Sequence, residues 1–274
     1  GRWGVDGAWA APVLTMGTAS ADQLRFRQHR RHVRAIFDAA LEAVRPEAAL
    51  AQAWPKGLGD SGRVWIVSIG KASVPMAGWA ARRCAGVLRG GVVLAPAGSR
   101  GMGRLREWGL EVFACDHPVP SGRNVVASRR VLELARGLGR GDTLVVLISG
   151  GGSAHLCLPR EGVGLRDVQR EAKRLLRRGM TIDEMNAVRS RMEVLKGGGL
   201  AAIALAGGAR VKAFALSDVM GNEPGVIASG PTWGERARVR PRIIAGNADA
   251  VRAARRALEG RGFRVLRGRL GYAG

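Results

Sequence analysis

Apolar residues recur along the chain in two spacings, which predict alternating helices and strands. Between residues 33 and 44 they fall three or four positions apart, as on one face of a helix, and Pro46 ends that segment. The apolar run at 64–69 is instead continuous and β-branched, which is typical of a buried strand. Further strands are predicted at 92–94, 111–115, 143–148, 211–216 and 243–244. Further helices are predicted at 72–88, 125–138, 165–177, 181–195 and 248–258.

Short apolar strands that alternate with amphipathic helices are typical of βαβ units. We therefore predict an α/β fold, a Rossmann-like three-layer sandwich with a mostly parallel sheet between two helical layers. Because crossovers between parallel strands are right-handed, the carboxyl ends of the strands should lie along one edge of the sheet. Ligands of open α/β sheets bind at that edge. The polar, basic segment 233–241 is the strongest candidate for an internal boundary.

The overall composition is that of a globular protein, with 46% hydrophobic and 24% charged residues in 274. This balance excludes wholesale disorder. No apolar run approaches the roughly 18–20 residues of a membrane span, so we expect no membrane partner. The three cysteines lie far apart and lack zinc-binding spacing, which argues against a disulfide scaffold and a structural zinc site. A reducing, cytoplasmic setting is therefore the expectation.

Positive charge is the most unusual feature of the composition, with 44 Lys and Arg against 22 Asp and Glu and a net charge of +22. Such a surplus favours a nucleic-acid or anionic-membrane partner. Only five of the 44 are lysines, and the basic residues are spread from Arg25 to Arg269 instead of clustering. A nucleic-acid interface should cluster its charge on one face. Nucleic acid is therefore not expected as the main partner, and a basic nucleic-acid-binding module is kept as an alternative.

Two polar clusters directly after predicted strands suit anion binding. Gly70 and Lys71 follow the first strand, where one ammonium would lie beside free helix amides. The second cluster follows the strand at 143–148 and consists of Ser149, Gly150, Gly151, Gly152 and Ser153. Successive glycines are used where the backbone approaches a ligand closely or needs a positive φ, and their amides form an anion nest. A surface lysine and a plain flexible loop are the alternative interpretations.

Two further clusters place a histidine and a carboxylate at strand ends. His117 lies in Asp-His-Pro-Val-Pro after the strand at 111–115, and the following proline should hold it extended. Catalytic, structural and merely exposed roles all remain open for this histidine. Asp218 follows the strand at 211–216, as a Mg²⁺ ligand or general base often does. A helix-capping aspartate is the alternative.

The helix predicted at 181–195 carries or adjoins three more polar candidates, Asn186, Arg189 and Lys196. Arg189 and Lys196 are seven positions apart and would share a helix face, where two cations could meet a carboxylate or phosphate. A solvated basic face is the alternative. Together the clusters supply cations, an anion nest and a carboxylate along one sheet edge. Phosphoryl transfer requires such groups, because its catalysis consists mostly of positioning and charge neutralisation.

Several of these residues fall in motifs that resemble one enzyme family. In chain order the motifs are HPVP at 117–120, LISGGGSA at 147–154, N-x-V-R at 186–189, LKGG-x-LA at 195–201 and SDVxGxxPxVIASGPT at 217–232. Their order is similar to that in the glycerate 2-kinases, the MOFRL-type glycerate kinases that are often labelled hydroxypyruvate reductase. The first helix and Gly-Lys-Ala at 70–72 also match, so the resemblance covers residues 24–232.

The resemblance implies ATP-dependent, Mg²⁺-assisted phosphorylation of D-glycerate at its 2-hydroxyl by a two-domain α/β enzyme. Lys71 would then stabilise charge on the transferring phosphoryl, and Asp218 would hold the metal or accept the hydroxyl proton. The loop at 149–153 would cradle substrate or phosphate. The remaining candidates would assist binding, namely His117, Asn186, Arg189 and Lys196. An NAD(P)H-dependent hydroxypyruvate reductase is the alternative enzyme, although the glycine loop that begins at Gly150 does not fit the G-x-G-x-x-G fingerprint.

Domain boundaries and departures from the family pattern complete the expectations. Residues 1–20 should be a leader without fixed structure, 21–232 the N-terminal α/β domain, and 233–274 a shortened, truncated continuation that lacks the C-terminal domain of the family. His155 and Glu193 replace an apolar and a small polar residue, respectively. Because the missing domain should supply part of the phosphate clamp, we expect weak or no turnover from this chain alone. Surfaces that the absent domain would cover would favour a homo-oligomer.

Overall fold

One six-stranded sheet organises the protein. The computed structural model describes residues 21–60, 62–179 and 182–265. Three parts of the expectations lie outside these ranges: the leader at 1–20, the start of the helix predicted at 181, and the end of the continuation at 266–274. The strands are β1 (Arg63–Ile69), β2 (Leu88–Pro96), β3 (Leu110–Cys115), β4 (Asp142–Ile148), β5 (Arg210–Ser217) and β6 (Arg242–Gly246). They lie in the order β3-β2-β1-β4-β5-β6, and every neighbouring pair is parallel.

Ten α-helices connect or flank these strands within the described ranges. They are α1 (Ala21–Glu42), α2 (Pro46–Ala53), α3 (Ser73–Arg83), α4 (Met102–Glu107), α5 (Gly122–Arg136), α6 (Gly152–His155), α7 (Leu165–Arg177), α8 (Ile182–Met192), α9 (Gly199–Ala206) and α10 (Asn247–Glu259). None of them combines the length and the apolar character that crossing a membrane would need.

The sheet separates two hydrophobic cores, because successive side chains of a strand point to opposite faces. On β1, Val67 and Ile69 pack into the core that contains α5 and α9, whereas Val64 and Ile66 pack into the core with α2, α3 and α4. Every residue of β4 is buried, as expected for a central strand covered on both faces. These layers confirm the predicted three-layer α/β fold.

Four helices were not predicted, and α2 shows why. Helix α1 ends at Glu42, before Pro46 as predicted, and Pro46 then begins α2, where its missing N–H and fixed φ suit the first turn. Helix α9 is apolar around its whole circumference, so no polar face marks it in the sequence. The other two, α4 and α6, have only six and four residues.

Helix α1 was predicted from its apolar stripe, and only part of that stripe is covered: Ile36, Ala40 and Val44 are half-buried. Val33 is 66% exposed and Phe37 is 60% exposed. The helix packs against α10, and near this contact the rings of His32 and Phe263 lie edge to face with their centroids 5.3 Å apart. Periodicity therefore identified the helix and only part of the face that contacts the protein.

The segment that follows residue 232 adds to the same sheet. It supplies β6 at the edge and α10 beside it. The connecting stretch 233–241 is held by Arg236, whose guanidinium donates to the backbone carbonyls of Ser190, Glu193 and Val194, the last at 2.6 Å. In the described residues, the stretch expected to mark a boundary is a hydrogen-bonded connection between β5 and β6 of the same sheet.

The order of the strands places a crevice between β1 and β4. Strand connections run to one side of β1 through β2 and β3, and to the other side through β4, β5 and β6. In open α/β sheets, ligands bind outside the carboxyl ends of the strands at such a reversal. Ile69 and Ile148, the last residues of β1 and β4, are paired across the ladder. Lys71 and the loop at 149–153 therefore leave the sheet side by side.

Candidate active site

Hydrogen bonds join the segments that follow β1 and β4. The amide of Ser149 donates to the carbonyl of Ile69 at 2.9 Å, and the Ser149 hydroxyl donates to the same carbonyl at 3.0 Å. This hydroxyl also accepts from the Ala72 amide at 3.0 Å, while the Lys71 amide donates to the Gly150 carbonyl at 2.9 Å. The Ser149 hydroxyl is thus committed to the protein and holds the loop, a role that the sequence did not indicate.

The loop at 149–153 keeps unused backbone donors. Gly151 has φ of 80° and immediately precedes α6, which begins at Gly152. Within the part of the chain that the structure describes, no backbone hydrogen bond uses the amides of Gly150, Gly151 or Ser153. A left-handed residue that exposes neighbouring amides at a helix start is the geometry of an anion nest. The geometry supports the predicted anion-binding loop.

Two cavities open on either side of this loop. The Asp218 cavity, of about 220 Å³, is lined by Lys71, Gly150 and Asp218 among others. The His117 cavity, of about 390 Å³, is lined by His117 and Gly151 among others. The loop residues Gly150 and Gly151 therefore divide two spaces that meet at the same edge of the sheet.

Contacts to the two glycines show how close the candidate groups are. A Cβ atom on Gly150 would lie 2.2 Å from Oδ2 of Asp218. A Cβ on Gly151 would lie 3.2 Å from Nε2 of His117 and 3.5 Å from Cε of Lys71. The structure thus brings Lys71, His117 and Asp218 around the loop, as the shared sheet edge predicted.

Asp218 is the acidic group of its cavity. It is exposed, directly follows β5, and its backbone carbonyl accepts from the Asn247 side chain at 3.1 Å. No group of three His, Cys, Asp or Glu side chains that could hold a metal occurs among the described residues. One exposed carboxylate nevertheless suits Mg²⁺, which binds proteins through one or two carboxylates and takes its other ligands from phosphates and water.

His117 lies above a second, buried histidine. The His117–Pro118 peptide bond is cis, and the His117 side chain is exposed at the cavity mouth. Partial burial, and next the charge of Lys71, lower the pKa of His117, which favours its neutral form. The fully buried ring of His155 packs edge to face against it, with centroids 5.9 Å apart. Burial, and to a lesser extent His117, lowers the pKa of His155 to about 4.

The cations of the His117 cavity differ in how they are paired. Lys196 is 2% exposed, and its ammonium donates to Oε1 of Glu193 at 2.6 Å and to the Ser153 carbonyl at 2.7 Å. Arg189 is half-buried and has no ion-pair partner within 4.0 Å among the described residues, and burial lowers its pKa. Arg189 and Lys196 were predicted to share a helix face. They do not, because α8 ends at Met192, although both residues line this cavity.

Asn186 reaches the loop indirectly. Its side-chain oxygen accepts from the Ser229 hydroxyl at 2.8 Å, and that hydroxyl lies 2.9 Å from the Ser153 hydroxyl. The buried Asn186 borders a third cavity of about 250 Å³ and neither of the two beside the loop. The structure therefore places Asn186 behind the loop, where it supports Ser153 through Ser229.

A strained segment also supports the loop. Ala228 and Ser229 have φ of 52° and 59°, the left-handed region that side chains disfavour. A Cβ on Gly152 would lie 2.6 Å from Cβ of Ala228, so the segment packs directly on the loop. Such conformations persist where the surrounding structure holds them, often at functional sites. The sequence contained this segment within a family motif but offered no signal of its backbone conformation.

We predict that His155 makes stability depend on pH. A histidine whose pKa is lowered in the folded state takes up a proton more readily when unfolded, so its contribution is complete above pH 6.5 and is lost as the pH falls towards 4. The loss should reach about 3 kcal/mol. Chemical denaturation between pH 7 and pH 4 should show this loss in the native chain and a smaller one in His155→Phe. His29→Phe, at an exposed position, is the control. Equal pH dependence in the native chain and in His155→Phe would contradict the assignment.

Comparison with known proteins agrees with the motifs. A family model described as "Domain of unknown function (DUF4147)" matches residues 32–255. The D-glycerate 2-kinase of Thermotoga maritima is 39% identical over 198 residues, which are 72% of this chain and 46% of that protein. A putative hydroxypyruvate reductase of Agrobacterium vitis is 37% identical over 204 residues, which are 74% of this chain and 44% of that protein.

A solved structure agrees as well. The crystal structure of a glycerate kinase from Thermotoga maritima superposes with a TM-score of 0.72 at 29% identity, covering 87% of this chain and 64% of that one. The chain spans about half the length of the curated relatives it matches. These matches confirm the predicted resemblance to glycerate kinases and the predicted fold. The chain belongs to the DUF4147 family, whose curated relatives include glycerate kinases.

Proposed function

We propose that this chain carries the chemistry of a glycerate kinase, the ATP-dependent transfer of a phosphoryl group to the 2-hydroxyl of D-glycerate. One observation carries the proposal: the ammonium of Lys71, the unused loop amides and the carboxylate of Asp218 surround the loop where the strand order reverses. Phosphoryl transfer relies on positioning and on neutralising charge at the transferring group. These groups supply positive charge and hydrogen-bond donors there.

The two cavities suit the two substrates. The nucleotide phosphates would lie in the Asp218 cavity, with the loop amides and Lys71 as donors and Asp218 as the residue that holds Mg²⁺. Bound Mg²⁺ neutralises charge on the β- and γ-phosphates. Asn247, at the start of α10, also lines this cavity. Its side chain supports the Asp218 backbone and was not among the predicted residues.

The His117 cavity would bind glycerate. Since Lys196 is paired with Glu193, the cations left for a carboxylate are Arg189 and Lys173, and Lys173 comes from α7. A half-buried guanidinium makes strong charge-assisted bonds to a carboxylate. The substrate hydroxyl would then face Gly151, next to Lys71 and His117.

The reaction would proceed by in-line displacement. The 2-hydroxyl oxygen of glycerate bonds to the γ-phosphorus, the bond from that phosphorus to the β,γ-bridging oxygen breaks, and ADP leaves. Lys71 and the loop amides stabilise the charge on the transferring group. The hydroxyl proton passes to a base at the loop, for which Asp218 and the neutral His117 are the neighbouring groups.

A second candidate is NAD(P)H-dependent reduction of hydroxypyruvate. The strand order β3-β2-β1-β4-β5-β6 is that of dinucleotide-binding sheets, and one relative is named a putative hydroxypyruvate reductase. The turn after β1 reads Gly70-Lys71-Ala72 and lacks the glycine-rich pyrophosphate fingerprint. NADH oxidation in the presence of hydroxypyruvate, without ATP, would support the reductase against the kinase.

We predict that Lys71→Met abolishes ATP-dependent phosphorylation of D-glycerate. Losing a preorganised cation at the phosphoryl group should lower kcat by about 100-fold or more. A coupled ADP-release assay measures turnover, and calorimetry with Mg·ATP measures binding if turnover is weak. Lys212→Met, an exposed lysine on β5, is the matched control and should behave like the native chain. Unchanged activity in Lys71→Met would refute the role of Lys71.

Gly150→Ala should impair the same site by crowding. Its Cβ would overlap the Asp218 carboxylate at 2.2 Å, so Asp218 must move away from the loop. We expect loss of Mg·ATP affinity by about tenfold or more, since small misplacements of supporting groups are costly. Gly103→Ala is the matched control, because nothing lies within 4 Å of its Cβ. Calorimetric titration of both variants checks this, and native affinity in Gly150→Ala would contradict it.

Arg189→Gln should weaken the binding of glycerate and leave the binding of the nucleotide unchanged. Removing a hydrogen bond between charged groups costs about 1.5–3 kcal/mol, so KM for D-glycerate should rise about 10- to 100-fold. KM for ATP should stay within about twofold, the change expected where no contact is lost. Arg191→Gln, an exposed position on α8 outside the His117 cavity, is the control. An increase in KM for ATP alone would place glycerate elsewhere.

A further inference from the structure

The helix that carries the glycine loop cannot form by itself. Helix α6 has four residues, far fewer than an isolated helix needs for stability in water. Its last carbonyls also lack partners inside the helix, as at any helix end. Side chains from other elements donate hydrogen bonds to these carbonyls. Asn124 donates to the Ala154 carbonyl at 2.8 Å, and Ser128 donates to the His155 carbonyl at 3.5 Å.

The Ser153 carbonyl receives the strongest of these donors. The ammonium of Lys196 donates to it at 2.7 Å, in the turn that directly follows the glycines. An ammonium buried to 2% exposure would be costly alone, but Glu193, which is fully buried, accepts from it at 2.6 Å. A charged donor in a dry environment forms a stronger bond than a neutral one.

Glu193 is itself held in place by backbone hydrogen bonds to the segment after α6. The amide of Val194 donates to the carbonyl of Leu158 at 2.9 Å, and the amide of Arg160 donates to that of Met192 at 2.9 Å. The ion pair therefore connects two ordered segments and is not a mobile surface contact. Lys196 donates to both Glu193 and Ser153, and its charge is cancelled by that of Glu193, so the pair adds no net charge to the His117 cavity.

We propose that Lys196 and Glu193 are positioning residues that set the orientation of the glycine loop, and that neither binds substrate. The proposal rests on the proposed function, in which the loop amides bind phosphate. By fixing the Ser153 carbonyl, the pair fixes the turn that follows Gly150 and Gly151, whose amides donate to no backbone carbonyl among the described residues. Lys196 therefore acts through the loop, and Arg189 remains the cation that meets the carboxylate.

The test separates positioning from stability. Lys196→Met alone would leave a buried carboxylate unpaired and risks unfolding the chain, whereas replacing both partners of a buried pair by apolar residues is often neutral. The informative variant is Lys196→Met/Glu193→Leu in the full chain. The matched control is Arg63→Met/Asp142→Leu, which removes another ion pair, 2.7 Å long, at the opposite end of β1 and β4.

Two measurements decide the outcome. Hydrogen exchange of residues 149–157 should be faster by about tenfold or more in the Lys196/Glu193 variant and unchanged in the control. Calorimetry with inorganic pyrophosphate should show affinity lowered by about 10- to 100-fold in the same variant. Native exchange rates in the loop would overturn the positioning role, whatever the ligand result. If the native chain fails to bind pyrophosphate while the loop exchanges faster in the variant, the proposed function is wrong and the positioning role stands.

Discussion

The site depends on hydrogen bonds between the segments that follow β1 and β4. The carbonyl of Ile69 accepts from both the amide and the hydroxyl of Ser149, and that hydroxyl accepts from Ala72. These bonds join two loops at the point where the strand order reverses, so their separation is fixed by the sheet. Lys71 and the loop amides therefore keep their relative positions without a ligand. Such preorganisation is the main protein contribution to phosphoryl transfer.

Charge in the site is divided between structural and available groups. Lys196 is neutralised by Glu193 within a dry environment, whereas Arg189 has no such partner among the described residues. A buried pair gives little net stability, but breaking it is costly. In the proposed function, the pair therefore fixes the loop, while the half-buried guanidinium of Arg189 keeps its charge for the substrate carboxylate. The surplus of arginine in the composition would not have distinguished these two roles.

Sequence patterns predicted the strands and the loops at their ends, because both depend on local features. Continuous apolar runs mark buried parallel strands, and the residues that follow them must lie at the carboxyl edge. The pairing of Lys196 could not be predicted in this way, since it depends on where α8 ends and on Glu193. The position of Asn186 also depends on contacts between distant residues. It was predicted to bind substrate or phosphate, and the structure places it behind Ser153. Non-local packing determined these outcomes.

The glycine loop shows how one sequence signal can have several physical causes. A positive φ explains Gly151, as successive glycines suggested. Gly150 has no such φ, and its lack of a Cβ leaves the space that the Asp218 carboxylate occupies. Gly152 is required because Ala228, in a strained left-handed turn, packs against it. The three glycines therefore have three different causes, and the close packing of the loop keeps it in contact with Asp218, Lys71 and Ala228.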